Sequence, residues 1–238
     1  MTKTITLAAT SLLGILLFGS MTVSLPRLFV IGDSISIQYG PYLEKYIQST
    51  WLYTRKSDNG QAAKNLDLPM GANGGDSRMV LEFLKFKMQD KTFHPDVMLL
   101  NCGLQDIKRD AATNAIQVDS ASYRANLKAI LAMLRVRDIH PVWMRTTPVE
   151  DERHNSRSKA FKRYARDLDA YNAIADEVMA QNDVAMIDLY AFTKKLGSEH
   201  FIDHVHYDET TRAAQAAYIA GYLHAVDTAM HKFRRTNK

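Results

Sequence analysis

Short apolar runs that stop at polar turns alternate along this chain with longer stretches whose apolar residues recur every third or fourth position. Leu28-Phe29-Val30-Ile31 is four apolar residues in a row, the pattern of a strand buried on both faces, and Gly32-Asp33-Ser34 ends it abruptly. Residues 95–103 carry a second such strand, ending at Gly103-Leu104-Gln105-Asp106. Residues 140–149 read as a third strand entering a loop, and residues 184–189 as a fourth. The spacing predicts helices over 37–47, 79–88, 122–137, 161–181 and 210–233. Strands separated by helices imply a three-layer α/β/α sandwich with a parallel sheet.

Two stretches break the alternation. Residues 49–74, with Asp58-Asn59-Gly60, Pro69, Gly71 and Gly74, read as a loop-rich insertion. Long loops on a compact sheet are often functional, so it is either a wall of a substrate pocket or surface decoration. Residues 150–158 are highly charged and read as solvated.

The first 24 residues form a block of their own. Lys3 is their only charge, and apolar or small residues fill the rest. A short basic start, an apolar middle and small residues before Leu25 match a secretory signal peptide. The alternative is a retained N-terminal anchor, because the run approaches the roughly 20 residues that span a bilayer. Cleavage makes residues 25–238 one secreted or periplasmic domain without stable membrane association.

Composition narrows the rest. The chain has 238 residues, 46% of them hydrophobic, enough for one substantial core. The formal charge of +4 is spread along the predicted helices, and the one short basic cluster, Lys232-Phe233-Arg234-Arg235, reads as a solvated helix end. Nucleic acid is therefore not an expected partner. Cys102 is the only cysteine, so neither an intramolecular disulfide nor a cysteine-built zinc site can form, and it reads as a buried small hydrophobe.

Three polar blocks carry candidate chemistry. Ser34 stands at the carboxyl end of a buried strand, where open parallel sheets bind ligands. It is either a nucleophile or the N-cap of the next helix. Asn73-Gly74-Gly75-Asp76-Ser77-Arg78 pairs two glycines before a helix, letting backbone N–H groups approach a ligand, or serves as a plain turn capped by Asp76 or Ser77. Asp203 lies three residues ahead of His206, so one loop can hold both, the carboxylate fixing the tautomer of the ring. His204, His206, Asp203 and Asp208 are also metal-capable types.

Taken in order, Gly-Asp-Ser, the glycine turn, Gly-x-x-Asp and Asp-x-x-His resemble the SGNH (GDSL-type) hydrolases from Leu28 through the final helix. The resemblance implies a flavodoxin-like sandwich and an esterase, lipase, thioesterase or carbohydrate deacetylase that needs no metal or organic cofactor. It implies Ser34 as nucleophile, His206 as base and Asp203 as its orienting acid. It also implies an oxyanion hole from the Ser34 backbone N–H, a glycine N–H from Gly74 or Gly75 (Gly75 by alignment with the family's Gly-Asp-Thr/Ser) and a side-chain amide. The family's asparagine at that last position is here Gln105, one methylene longer. Asp33 and Asp106 are expected to brace turns.

The expected substrate is a small-molecule or polysaccharide ester, first of all an O-acetyl group on carbohydrate. Trp51, Tyr53 and Trp143 are either sugar-stacking rings or plain core and surface residues, and Arg78 and Arg145 either partners of an acidic sugar or surface charges. A lysophospholipase or thioesterase would need a longer apolar groove. A glycan-binding module without catalysis, or an acyltransferase that excludes water, are the remaining alternatives.

Overall fold

The computed structural model describes residues 24–236, so the signal or anchor expected over residues 1–24 lies outside the described residues save for Ser24. Five parallel strands form the central sheet in the order β2-β1-β3-β5-β7. They are β1 (Arg27–Ile31), β2 (Leu52–Arg55), β3 (Val97–Leu100), β5 (His140–Met144) and β7 (Ala185–Ile187). A two-stranded antiparallel ribbon, β4 (Arg109–Asp110) with β6 (Phe161–Lys162), stands apart from it.

Helices cover both faces. The helices α3 (Ser77–Lys87), α4 (Ser120–Val136) and α6 (Ala165–Ala180) pack in succession, and α1 (Ser34–Ile47), α8 (Glu209–Thr236) and α7 (Leu189–Leu196) make a second layer. Short helices α2 (Gln61–Lys64) and α5 (Asp151–Arg157) sit in the connections. The arrangement is the expected three-layer α/β/α sandwich with a parallel sheet. No helix among the described residues is long and apolar enough to cross a membrane.

The core follows from the pattern. Leu28, Val30, Ile31, Val97, Met98 and Leu99 are buried because both sheet faces are covered, which is why β1 and β3 read as unbroken apolar runs. Three expectations need correction, and one open choice is settled. Residues 52–55, read as loop, are an edge strand whose alternating exposed and half-buried side chains show only one covered face. Residues 151–157, read as solvated, are a helix that buries His154 completely. The helix expected from 161 begins at Ala165, because Phe161 and Lys162 pair with β4. Trp51 and Trp143 are core side chains rather than sugar platforms.

Candidate active site

The turn after β1 sets the first side chain. Asp33, in extended conformation, caps α1 by accepting the Ile35 N–H at 2.9 Å, and Ser36 Oγ donates to the Asp33 carbonyl at 2.7 Å. Asp33, not Ser34, is thus the cap, and Ser34 becomes the first helical residue. Its hydroxyl is freed from capping, and its backbone N–H has no hydrogen-bond partner among the described residues.

The second side chain comes from the loop before α8. Asp203 Oδ1 accepts the backbone N–H groups of Val205 and His206, each at 2.8 Å, which folds the loop into a tight turn. The other oxygen, Oδ2, is 2.7 Å from His206 Nδ1, and His206 Nε2 is 2.8 Å from Ser34 Oγ. Burial pushes the Asp203 carboxyl up, but the bonds from the His206 ring and the two backbone N–H groups outweigh it and hold it well below the usual carboxylate range. An ionised carboxylate, an imidazole and a hydroxyl in this relay can move the hydroxyl proton onto the ring as the oxygen attacks an electrophile. The loop's other metal-capable side chains turn elsewhere: His200 meets Asp208 and His204 meets Asp67.

The glycine turn lies against the same strand end. Gly74 N–H donates to the Gly32 carbonyl at 2.7 Å, and a Cβ on Gly74 would stand 3.0 Å from that oxygen, so the close approach requires glycine. Gly75, at φ +76°, donates its N–H to Asn73 Oδ1 at 2.9 Å. Asp76 then caps α3 through the Arg78 and Met79 N–H groups.

Gln105 is 2% exposed, and its Oε1 is buried with no hydrogen-bond partner. Two contacts brace its backbone: Arg163 Nε donates to the Leu104 carbonyl at 2.6 Å, and Gly103 sits where a Cβ would lie 2.5 Å from Thr146 Oγ1. Asp106 accepts the Ser77 N–H at 2.9 Å, tying this turn to α3, and burial raises its carboxyl to about 7. Asp33 and Asp106 therefore do brace turns.

The structure brings Ser34, Asp203 and His206 into one hydrogen-bonded chain and sets Gly75 and Gln105 in the two turns beside it. Arg78 is tied to Asp76, and Arg145 to both Asp176 and Asp188, so neither faces a ligand unmatched. Ser34 is 3% exposed and His206 2%.

A model of the GDSL-like lipase/acylhydrolase family matches residues 30–224, which takes in every one of these blocks. The chain belongs to the GDSL-like lipase/acylhydrolase family. It is accordingly an ester-hydrolysing enzyme. Solved structures share the fold at low identity. A lipase/acylhydrolase from Enterococcus faecalis superposes with TM-score 0.63 at 15% identity, over 84% of this chain and 95% of that one. A GDSL-like lipase from Bacteroides thetaiotaomicron gives TM-score 0.60 at 13% identity, over 84% and 88%. An acetylxylan esterase from Geobacillus stearothermophilus gives TM-score 0.57 at 16% identity, over 82% and 92%. No curated protein sequence matches the chain.

For a chain of this family, three supporting residues escape a motif-level reading. Asn172 clamps the loop after β5, its Oδ1 accepting the Thr146 N–H and its Nδ2 donating to the Thr146 carbonyl, each at 3.1 Å. Its signal was a polar residue inside the buried stripe Leu168, Tyr171, Ala175, Val178 of α6. His154 and Arg163, which meet at 3.1 Å, carried no such signal, because a charged stretch hides which of its side chains turn inward.

Proposed function

We propose that this acylhydrolase is a serine esterase in which Ser34 attacks, His206 shuttles the proton and Asp203 orients His206. The unbroken chain from Asp203 Oδ2 through the imidazole to Ser34 Oγ carries this reading. A serine hydroxyl is a weak nucleophile until a neighbouring base takes its proton. As Ser34 Oγ bonds to the ester carbonyl carbon, its proton passes to His206 Nε2 and the carbonyl electrons move onto oxygen. The tetrahedral oxyanion collapses, the ester C–O bond breaks, and His206 returns the proton to the departing alcohol. Water, deprotonated by the same ring, then attacks the acyl-serine and releases the acid with Ser34 restored.

The oxyanion would be met by the Ser34 N–H, by Gly75 N–H once it leaves Asn73, and by the Gln105 side-chain amide. Each such donor typically supplies about 10²–10³ in kcat. An O-acetyl ester on carbohydrate is the substrate we favour, supported by the acetylxylan esterase among the structures that share the fold. The character of residues 1–24 supports export to the periplasm or beyond.

The test is a series of p-nitrophenyl esters. Acetate should turn over faster than octanoate or longer esters, and Ser34→Ala should abolish turnover of all of them. Faster cleavage of the long esters would move the assignment to lipid. A screen of acetylated polysaccharides for acetate release then names the carbohydrate.

A further inference from the structure

On one side of Ser34 the structure buries two cations that no carboxylate neutralises. Arg163 is 2% exposed and Lys108 8%. Arg163 spends Nε on the Leu104 carbonyl at 2.6 Å and Nη1 on His154 Nε2 at 3.1 Å, leaving Nη2 without a hydrogen bond among the described residues. Lys108 Nζ has a single acceptor, the Asp67 carbonyl at 3.2 Å. The two cations share the ring of Phe161, with Lys108 Nζ 4.0 Å and the Arg163 guanidinium carbon 4.8 Å from its centroid. Neither is within ion-pair distance of a described carboxylate, in contrast to Arg78, Arg109, Arg124 and Arg145.

Burying a charge is expensive unless a counter-charge or a full set of acceptors receives it. His154, which accepts from Arg163, cannot share the burden by ionising. Burial first, and the guanidinium second, hold its ring down to about 3. The carboxylates in the field of Arg163 are Asp33 and Asp67, and those in the field of Lys108 are Asp67 and Asp76. Asp33 is committed to the cap of α1, and Asp76 to α3 and Arg78. Asp67 alone acts on both cations. It comes from the long insertion, is partly exposed, and points its carboxylate at His204 Nε2, 2.9 Å away. The ring of His204 lies 5.7 Å from that of His206, and Leu104 is the neighbour of Gln105, so this cluster borders the site itself.

We infer that Lys108 and Arg163 form a subsite for a carboxylate carried by the substrate ester, and that Asp67 occupies its mouth at rest. The inference rests on the serine-esterase reading and specifies its substrate as an anionic ester. The carboxylate has two possible sources. It lies on the alcohol side in an acetylated uronic acid, or on the acyl side in a half-ester of a dicarboxylic acid.

Paired substrates separate the two. Acetylated galacturonic acid is compared with acetylated galactose, and ethyl hydrogen succinate with ethyl butanoate, by kcat/KM at low ionic strength. In one pair the anionic ester should be preferred at least tenfold. Lys108→Met should cut that preference tenfold or more. Asp67→Asn should lower KM for the anionic ester several-fold. Should Lys108→Met not fold, raising salt to about 0.5 M on the unmodified enzyme must erode the preference instead. Equal kcat/KM within both pairs overturns the inference, as does a preference untouched by salt or by folded Lys108→Met. A fluorophosphonate label keeps the failures apart. If Ser34 is not labelled, the esterase reading itself falls; if Ser34 is labelled and no preference exists, only the subsite falls.

Discussion

The two sides of Ser34 are built on opposite electrostatic plans. On the His206 side each charge meets its match within one turn: Asp203 takes two backbone N–H groups and the imidazole, and the imidazole takes the hydroxyl. On the Lys108–Arg163 side, positive charge is buried against carbonyls, a neutral histidine and an aromatic ring. In the proposed mechanism a matched relay is self-sufficient and does not depend on the rest of the ester. An unmatched cation wall is satisfied only by something that arrives. The difference separates chemistry from selection.

Breaking the matched side should have the largest effect. Asp203→Asn keeps the size of the side chain but favours the wrong tautomer of His206, and kcat should fall by about 10⁴-fold with KM little changed. Steady-state kinetics on p-nitrophenyl acetate reads this directly. A fall of less than tenfold would mean that Asp203 does not orient the ring.

A middle-sized effect should appear on the unmatched side as pH rises. Burial, with Arg163 second, lowers the Lys108 ammonium to about 8. Preference for anionic over neutral esters should therefore decline several-fold between about pH 7 and 9. Stability should move the other way. Because the folded chain releases the Lys108 proton more readily than the unfolded one, this residue's destabilising contribution fades as pH climbs from about 8 toward the ordinary lysine value. Ratios of kcat/KM beside thermal melts across that range check both signs, and Lys108→Met should remove both trends.

The smallest change is expected where the two sides meet. Gln105→Asn shortens a donor whose backbone Arg163 holds in place, and kcat should stay within a few-fold of the unmodified enzyme or rise. Gln105→Ala, by contrast, should lose about 10²–10³ in kcat. If both variants match the original, Gln105 is not a donor.

How much of this could be read from the chain depends on how local each feature is. The strand-turn of residues 28–34 and the Asp203–His206 spacing are set by neighbours within a few residues, so their geometry is implicit in their order. Strand β2 is four residues at a sheet edge, and its pairing with Arg27–Val30 replaces any strong period of its own. Trp51 and Trp143 present the same residue type whether they pack in a core or stack on a sugar, and only the tertiary fold distinguishes the two. His154 and Arg163 turn inward because β6 pairs with β4 some fifty residues earlier in the chain, a contact no local pattern announces. The Lys108–Arg163 wall is the less legible one because it is assembled from distant pieces.

The hydroxyl and the imidazole are 172 residues apart in the chain, and each stands at the entrance to a helix: α1 for Ser34, α8 for His206. These two helices pack on each other, and Tyr42 of α1 donates to Glu209 of α8 at 2.5 Å. On the proposed reading, the seam between α1 and α8 sets the reach of the relay, and a slip of one helix along the other would part Ser34 from His206 while leaving the sheet intact.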